Sequence, residues 1–231
     1  MSETSSGNLS NRLNWLRAGV LGANDGIVST AGLVFGVAGA TTNTNSIIIA
    51  GLAGLVAGAL SMAGGEYVSV SSQRDTELSA TRKTQQDFNA DPALKRQELA
   101  ESFVAKGIST ELADQVVAGL SDKDVEQYSI DALGIDAEAP VSPWVAARAS
   151  MLSFTIGSLI PLLAMVFTPA DFRLSATIAA VITALFITGY TAAKLSGVSV
   201  VKPILRNVVV GFAAMNITYL VGMGVDALVP G

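Results

Sequence analysis

The 231-residue sequence contains no cysteine and no histidine. Without cysteine, neither a disulfide framework nor a thiolate metal site is possible. Without histidine, the commonest metal ligand and general base is missing, and with it the usual zinc-hydrolase and Ser-His-Asp arrangements. Charge is also scarce: 14% of the residues are charged and 50% are hydrophobic, whereas an ordinary soluble domain carries about a quarter charged residues. The sequence therefore reads as an integral membrane protein. Nothing in it forms the basic stripe of a nucleic-acid-binding surface. G-x-S-x-G, H-E-x-x-H and G-x-G-x-x-G are absent, so no catalytic residue is assigned and the chain does not read as an enzyme.

The charge that is present is unevenly placed. Residues 71–140 hold 14 of the 19 acidic and 7 of the 14 basic residues. A compact, acidic, water-facing insert thus interrupts an apolar chain. The first 17 residues, MSETSSGNLSNRLNWLR, lack the short apolar core of a signal peptide. They read as a cytosolic tail and interfacial anchor, with Trp15 and Arg17 at headgroup level.

Between Asp25 and Glu66 lie 40 uncharged residues, too many for one span of about 20. The turn-forming stretch TTNTN, 41–45, divides them. Spans are expected at about 18–40 and 46–70, then at 149–170, 174–193 and 207–225. This gives an all-α membrane protein of five transmembrane helices, with a small helical cytosolic domain over 71–140 inserted between helices two and three. Residues 141–231 carry the last three spans. With the N-terminus in the cytosol, 13 of the 14 basic residues fall inside and only Arg173 outside, as the positive-inside rule requires. In the insert, helix two is expected to continue outward until NADP, with Asp91 as N-cap and Pro92 at the first position of the next helix. That helix ends at Gly107, Ser109 caps another, and the last ends at Gly134 before the linker IDAEAPVSP. Gly22/Gly26, Gly32/Gly36 and Gly54/Gly58 have the spacing of closely packed membrane helices, within one subunit or between two. Pro161 stands where it can kink span three, and Lys194 and Lys202 read as interfacial anchors.

Asp25 is the first chemical clue. A carboxylate about eight residues into a span costs several kcal/mol, and proteins keep one there for an ion, a proton relay or a partner. Asn24 lies beside it. In span two, Met62, Glu66, Ser69, Gln73, Glu77 and Thr84 fall on one helical stripe. Carboxylate oxygens suit Mn²⁺ or Fe²⁺, and a thioether favours Fe²⁺ over Mg²⁺ or Ca²⁺. In span five, Asn216 and Tyr219 suit a polar path or hydrogen bonds between helices.

GANDGIVSTAGLVFGVAGA, GLVAGALSMAGGEYVSVSSQRDTE and AMNITYLVG resemble the vacuolar iron transporter (VIT) family over essentially the whole chain. The resemblance implies five spans per subunit, a homodimer, and export of Fe²⁺ or Mn²⁺ from the cytosol in exchange for protons, with no permanently bound cofactor. It also implies that Asp25, Met62 and Glu66 line the ion pathway. The family's cytosolic metal-collecting positions match Thr84, Asp87, Lys95 and Glu98, then Tyr128 and Ala132; only Asp87 and Glu98 keep a carboxylate. The metal-loading site therefore reads as eroded, with Asp87 and Glu98 its remaining ligands and Glu101 or Glu126 as helpers. The competing reading is a membrane-anchored metal sensor or scaffold acting through the acidic insert. The membrane is the plasma (inner) membrane in a prokaryote, and a vacuolar or other organelle membrane in a eukaryote.

Overall fold

A computed structural model describes residues 4–131 and 142–228, with side chains from residue 18 onward. Ala132, Gly134 and residues 135–141 of the linker lie outside the described residues, as do the side chains of Trp15 and Arg17. The described residues form eight α-helices and no strand: α1 Thr4–Ala40, α2 Thr44–Ala90, α3 Pro92–Ala105, α4 Thr110–Ala118, α5 Asp122–Asp131, α6 Pro143–Phe167, α7 Arg173–Ser196 and α8 Val201–Leu228. Five of these helical segments are long and apolar enough to cross a membrane: Ala18–Ala40, Thr44–Ala90, Pro143–Phe167, Ala170–Ser196 and Val201–Leu228. Two begin earlier than hydropathy suggests. Helix α6 starts at Pro143 rather than 149 and α8 at Val201 rather than 207. Arg148, Lys202 and Arg206 bound the apolar runs, but a charged residue does not stop a helix. Pro143 and Pro203 both fit a first turn, where a missing N–H costs nothing.

The chain divides into two compact units, one of Arg12–Ser69 with Ser142–Gly231, the other of Met1–Asn11 with Val70–Val141. The first contains the spans. Its core gathers Ile27, Val34 and Phe35 of α1 with Leu162 of α6, Leu185 of α7 and Met215 of α8. Its helices meet at glycines. A Cβ on Gly22 would stand 2.9 Å from the Ser150 carbonyl oxygen, and one on Gly26 would run into the Phe154 carbonyl. From the other side, a Cβ on Gly157 would meet the Ala23 carbonyl. The far half of α1 meets α8 in the same way: Gly39 faces the Tyr219 carbonyl and Gly222 faces that of Gly36. Ser158 adds a cross-helix bond, its Oγ donating to the Gly26 carbonyl at 3.2 Å. Helix α7 ends at Gly197, whose φ of +66° is the left-handed conformation glycine adopts freely. The Val198 amide then donates back to the Ala193 carbonyl.

The second unit has a core of Phe88, Leu99, Ala100, Ala113, Val117 and Val125. Its helices start where side chains cap them. Asp91 Oδ1 accepts from the Leu94 amide at 3.0 Å, with Pro92 at the start of α3. Ser109 Oγ accepts from the Leu112 amide at 3.4 Å. Gly107, at φ +95°, follows the end of α3.

Arg96 ties α3 to the end of α4. Its guanidinium donates to the Val117 carbonyl at 2.8 Å, to the Leu120 carbonyl at 3.0 Å and to Asp122 Oδ1 at 2.7 Å. Arg96→Ala is expected to destabilise this unit by about 2 kcal/mol, the usual scale for hydrogen bonds from a charged group. Hydrogen exchange should show faster-exchanging amides in α3 and α4. Arg96→Lys should not rescue them, because an ammonium cannot reproduce the forked geometry.

At the start of α5, Ser121 and Asp124 form a reciprocal cap. Ser121 Oγ accepts from the Asp124 amide at 3.3 Å, while Asp124 Oδ2 accepts from the Ser121 amide at 3.1 Å and its hydroxyl at 2.6 Å. The Ser121 hydroxyl, and then its amide, hold the Asp124 carboxyl below its ordinary value. A depressed carboxylate stabilises the fold above its unfolded pKa and loses that contribution as pH falls through the folded one. Ser121→Ala removes the hydroxyl bond and leaves the amide one, so it should raise the Asp124 titration part of the way towards the ordinary carboxylate value in a carbon-detected NMR titration. An unmoved titration would show that the Ser121 hydroxyl is not the cause.

Candidate functional site

A cavity of about 200 Å³ opens between α1 and α2. Asp25, Ser29 and Thr30 line it from α1, and Ser61 and Met62 from α2. Glycine makes room for it: Gly54 and Gly58 form part of the wall. A Cβ there would meet the Leu33 and Phe154 side chains respectively. Asp25, Ser29 and Leu33 recur every four residues, so they share one face of α1. Asp25 and Ser29 are exposed on that face. Ser29 Oγ donates to the Asp25 carbonyl at 2.6 Å, which commits its proton and leaves its lone pairs facing outward. The cavity thus offers a carboxylate, a thioether and hydroxyl oxygens, a donor set suited to a divalent ion of borderline softness.

Asp25 and Met62 are therefore brought together. Glu66 lies one turn along α2 from Met62, half-buried, and does not line the cavity. The residue after it, Tyr67, packs its ring on Trp144 at 4.8 Å between centroids. Asn24, about 100° around α1 from Asp25, is not in the cavity lining. Its buried Oδ1 finds no hydrogen-bond partner among the described residues. Asn216 is exposed on α8 and its Nδ2 donates to the Phe212 carbonyl at 2.7 Å. Tyr219 packs edge-on against Phe35, with centroids 6.3 Å apart. Neither lines the Asp25 cavity.

In the second unit, Lys95 Nζ pairs with Glu98 Oε2 at 2.6 Å. The lysine that stands at an expected ligand position thus partners one of the two carboxylates left there. Asp87 is half-buried near the end of α2. Glu101 accepts from Gln97 at 2.9 Å. Tyr128 is exposed and edge-on to Phe103. Among the described residues, no three Asp or Glu gather into a group that would hold a metal.

Ser29, Thr30 and Ser61 are cavity residues that sequence reasoning missed. The signal was present for Ser29, which stands four residues from Asp25; nothing in the sequence distinguished Ser61. The profile of the VIT family matches residues 16–223. The chain belongs to the VIT family. Among the relatives of this VIT-family chain is "Vacuolar iron transporter homolog 3" of Arabidopsis thaliana, 39% identical over 211 residues, covering 91% of this chain and 82% of that one. "Vacuolar iron transporter homolog 5" of Oryza sativa subsp. japonica is 36% identical, with 91% and 80% covered. "Vacuolar iron transporter" of Acanthamoeba castellanii is 37% identical over 210 residues, with 90% and 77% covered. The cavity thus lies in a chain whose relatives carry a transporter's name.

Proposed function

We propose that this chain is a membrane transporter that exports a divalent transition-metal ion, Fe²⁺ or Mn²⁺, from the cytosol. The observation that carries the reading is the pairing of Asp25 with Met62 across one cavity between α1 and α2. A carboxylate is kept in a span at a cost of several kcal/mol only where it has work to do. The names of the relatives point the same way. The ion is substrate: it binds the carboxylate and thioether, is shielded by the hydroxyls, and leaves when the cavity opens to the other side. Glu66, one turn nearer the second unit, receives the ion before Met62. The carboxylates must be deprotonated to bind metal, so metal entry releases protons, and protons reload the site on the return. Proton exchange follows from that chemistry.

The same face supports a homodimer. Asp25, Ser29 and Ser61 are exposed on it, and a carboxylate beside two hydroxyls makes a costly surface to turn toward lipid. A second copy laid over this face would cover it and add a second set of ligands to the ion. The distribution of basic residues supports an N-terminus and second unit in the cytosol.

Metal uptake into proteoliposomes of the purified chain tests the reading. Flux of Fe²⁺ or Mn²⁺ that rises with an opposing proton gradient, and falls when the gradient is dissipated, is the expected result. Gradient-independent flux would remove proton exchange; absence of flux from a folded protein would remove transport itself.

A further inference from the structure

The unit that contains the spans has a second recess, of about 490 Å³, between α1, α6 and α7. It reaches α1 at Ala23 and Ile27. Each is two residues from Asp25, about 200° around the helix, so the recess lies behind the carboxylate. Small residues make its floor: Gly157 of α6 and Ala180 and Ala184 of α7. Ile156 and Ile187, 64% and 57% exposed, form its rim. It therefore opens on the outer surface of the spans, where the surrounding solvent is lipid.

The lining chemistry selects the occupant. The recess has room for many waters of about 30 Å³ each, but a water needs two to four polar partners. Among the described residues only Thr183 and Thr188 bring side-chain hydroxyls to the lining, and both protons are already committed, which leaves acceptors but no donor. Thr183 Oγ1 donates to the Ala179 carbonyl at 2.8 Å and Thr188 Oγ1 to the Leu185 carbonyl at 3.1 Å. Among the described residues no charged side chain lines the recess. It suits neither an ion nor a column of water; a hydrocarbon chain matches it.

A cation stands beyond one end of it. Lys194 is seven residues beyond Ile187, on the same face of α7. It lies about 10 Å farther along the axis, within the last turn before Ser196. Its Nζ rests 5.7 Å from the Tyr190 ring centroid, which holds the ammonium at that helix end. An apolar slot with an ammonium at its membrane-surface end is complementary to a phospholipid.

We propose that the groove between α1, α6 and α7 binds an acyl chain of an anionic phospholipid whose phosphate pairs with Lys194. The bound chain supports the back of α1, the helix whose opposite face carries Asp25. The site is independent of which ion the protein moves, and its test reads lipid rather than flux.

The full chain would be reconstituted with phosphatidylglycerol or phosphatidylcholine carrying a diazirine in one acyl chain, illuminated and digested with trypsin. Cleavage at Arg148, Arg173 and Lys194 releases 149–173 and 174–194, which hold the α6 and α7 walls, while 207–231 holds α8, whose Val209 and Leu220 are exposed. Adducts are expected to concentrate on the first two peptides, with phosphatidylglycerol favoured. Ala180→Phe, which plugs the slot, should abolish that concentration, and the smaller Ala180→Leu should reduce it even where the larger plug disturbs folding. Val209→Phe, on α8, should change nothing. Lys194→Gln, in which the α7 wall is read on 174–206 because cleavage at 194 is lost and Lys202 precedes Pro203, should lower the phosphatidylglycerol-to-phosphatidylcholine ratio roughly five-fold, the contribution of one basic residue near an anionic surface. Equal labelling of 207–231, or labelling indifferent to both Ala180 variants, would mean ordinary surrounding lipid and overturn the proposal. An unchanged ratio in Lys194→Gln would overturn the headgroup assignment.

Discussion

Asp25→Asn is expected to cut metal flux into proteoliposomes roughly a hundred-fold, the ~3 kcal/mol typical of removing one partner from a desolvated charge pair. The substitution keeps the size and shape of the side chain and removes only its charge. Among the described residues no other carboxylate lines the cavity, so none of them replaces the lost charge within it. The fold should survive. A charge within the spans is costly, and the amide avoids that cost, so the variant should melt no lower than wild type. The two readouts together separate a functional carboxylate from a structural one. Met62→Leu should act more gently and unevenly: it removes a soft donor, so Fe²⁺ flux should fall more than Mn²⁺ flux. Wild-type flux in Asp25→Asn would show that the ion takes another route.

A large stability effect is expected at the glycines that join α1 to α6. Gly26→Ala and Gly157→Ala each place a methyl group against backbone, the Phe154 carbonyl in one case and the Ala23 carbonyl in the other. Backbone cannot rotate aside as a side chain can. Overpacking of this kind costs roughly 3 kcal/mol, which for a chain of this length lowers the melting temperature by about 10 °C. Gly64 and Gly65 provide the contrast, since a Cβ at either meets nothing within 4 Å. An isolated subunit should gain up to about 1 kcal/mol of helix propensity from Gly64→Ala. Melting in detergent, with the oligomeric state followed by light scattering, distinguishes the cases. Melting temperatures of Gly26→Ala and Gly157→Ala equal to that of wild type would show that α1 and α6 are not in backbone contact. A Gly64→Ala variant that melts like wild type but loses its dimer would place the second copy on that face.

Much of this was legible in the sequence for simple reasons. A lone carboxylate in an apolar run is conspicuous, so Asp25 stood out. The 3.6-residue period put Met62 and Glu66 on one stripe, and the long uncapped stretch after them gave the 47 residues of α2. Asp91 with Pro92, and Ser109, are local caps and were readable locally. What depends on tertiary neighbours was not. The three glycine pairs could have served one subunit or two; all of them meet atoms of their own chain, Gly32 and Gly36 against Thr218. Gly64 and Gly65 carry no such signal, since only the structure shows that no described residue packs against them. The Lys95–Glu98 pair was hidden because sequence shows a lost ligand but not what its replacement does. The stack of Tyr67 on Trp144 joins residues 77 positions apart, beyond any helical period.

The glycines also distribute stiffness within the spans. Helix α1 touches α6 and α8 through backbone, at Gly22, Gly26 and Gly157 on one side and Gly39 and Gly222 on the other. Such contacts permit almost no sliding. Helix α2 touches its neighbours differently: Gly51 meets Leu162 and Val34, Gly54 meets Leu33, and Gly58 meets the Phe154 ring, all through side chains that turn about their own bonds. Asp25 therefore stands on the stator and Met62 on the compliant wall. A cavity with one rigid and one yielding side changes shape by the tilt of a single helix, without breaking the frame that holds its charge.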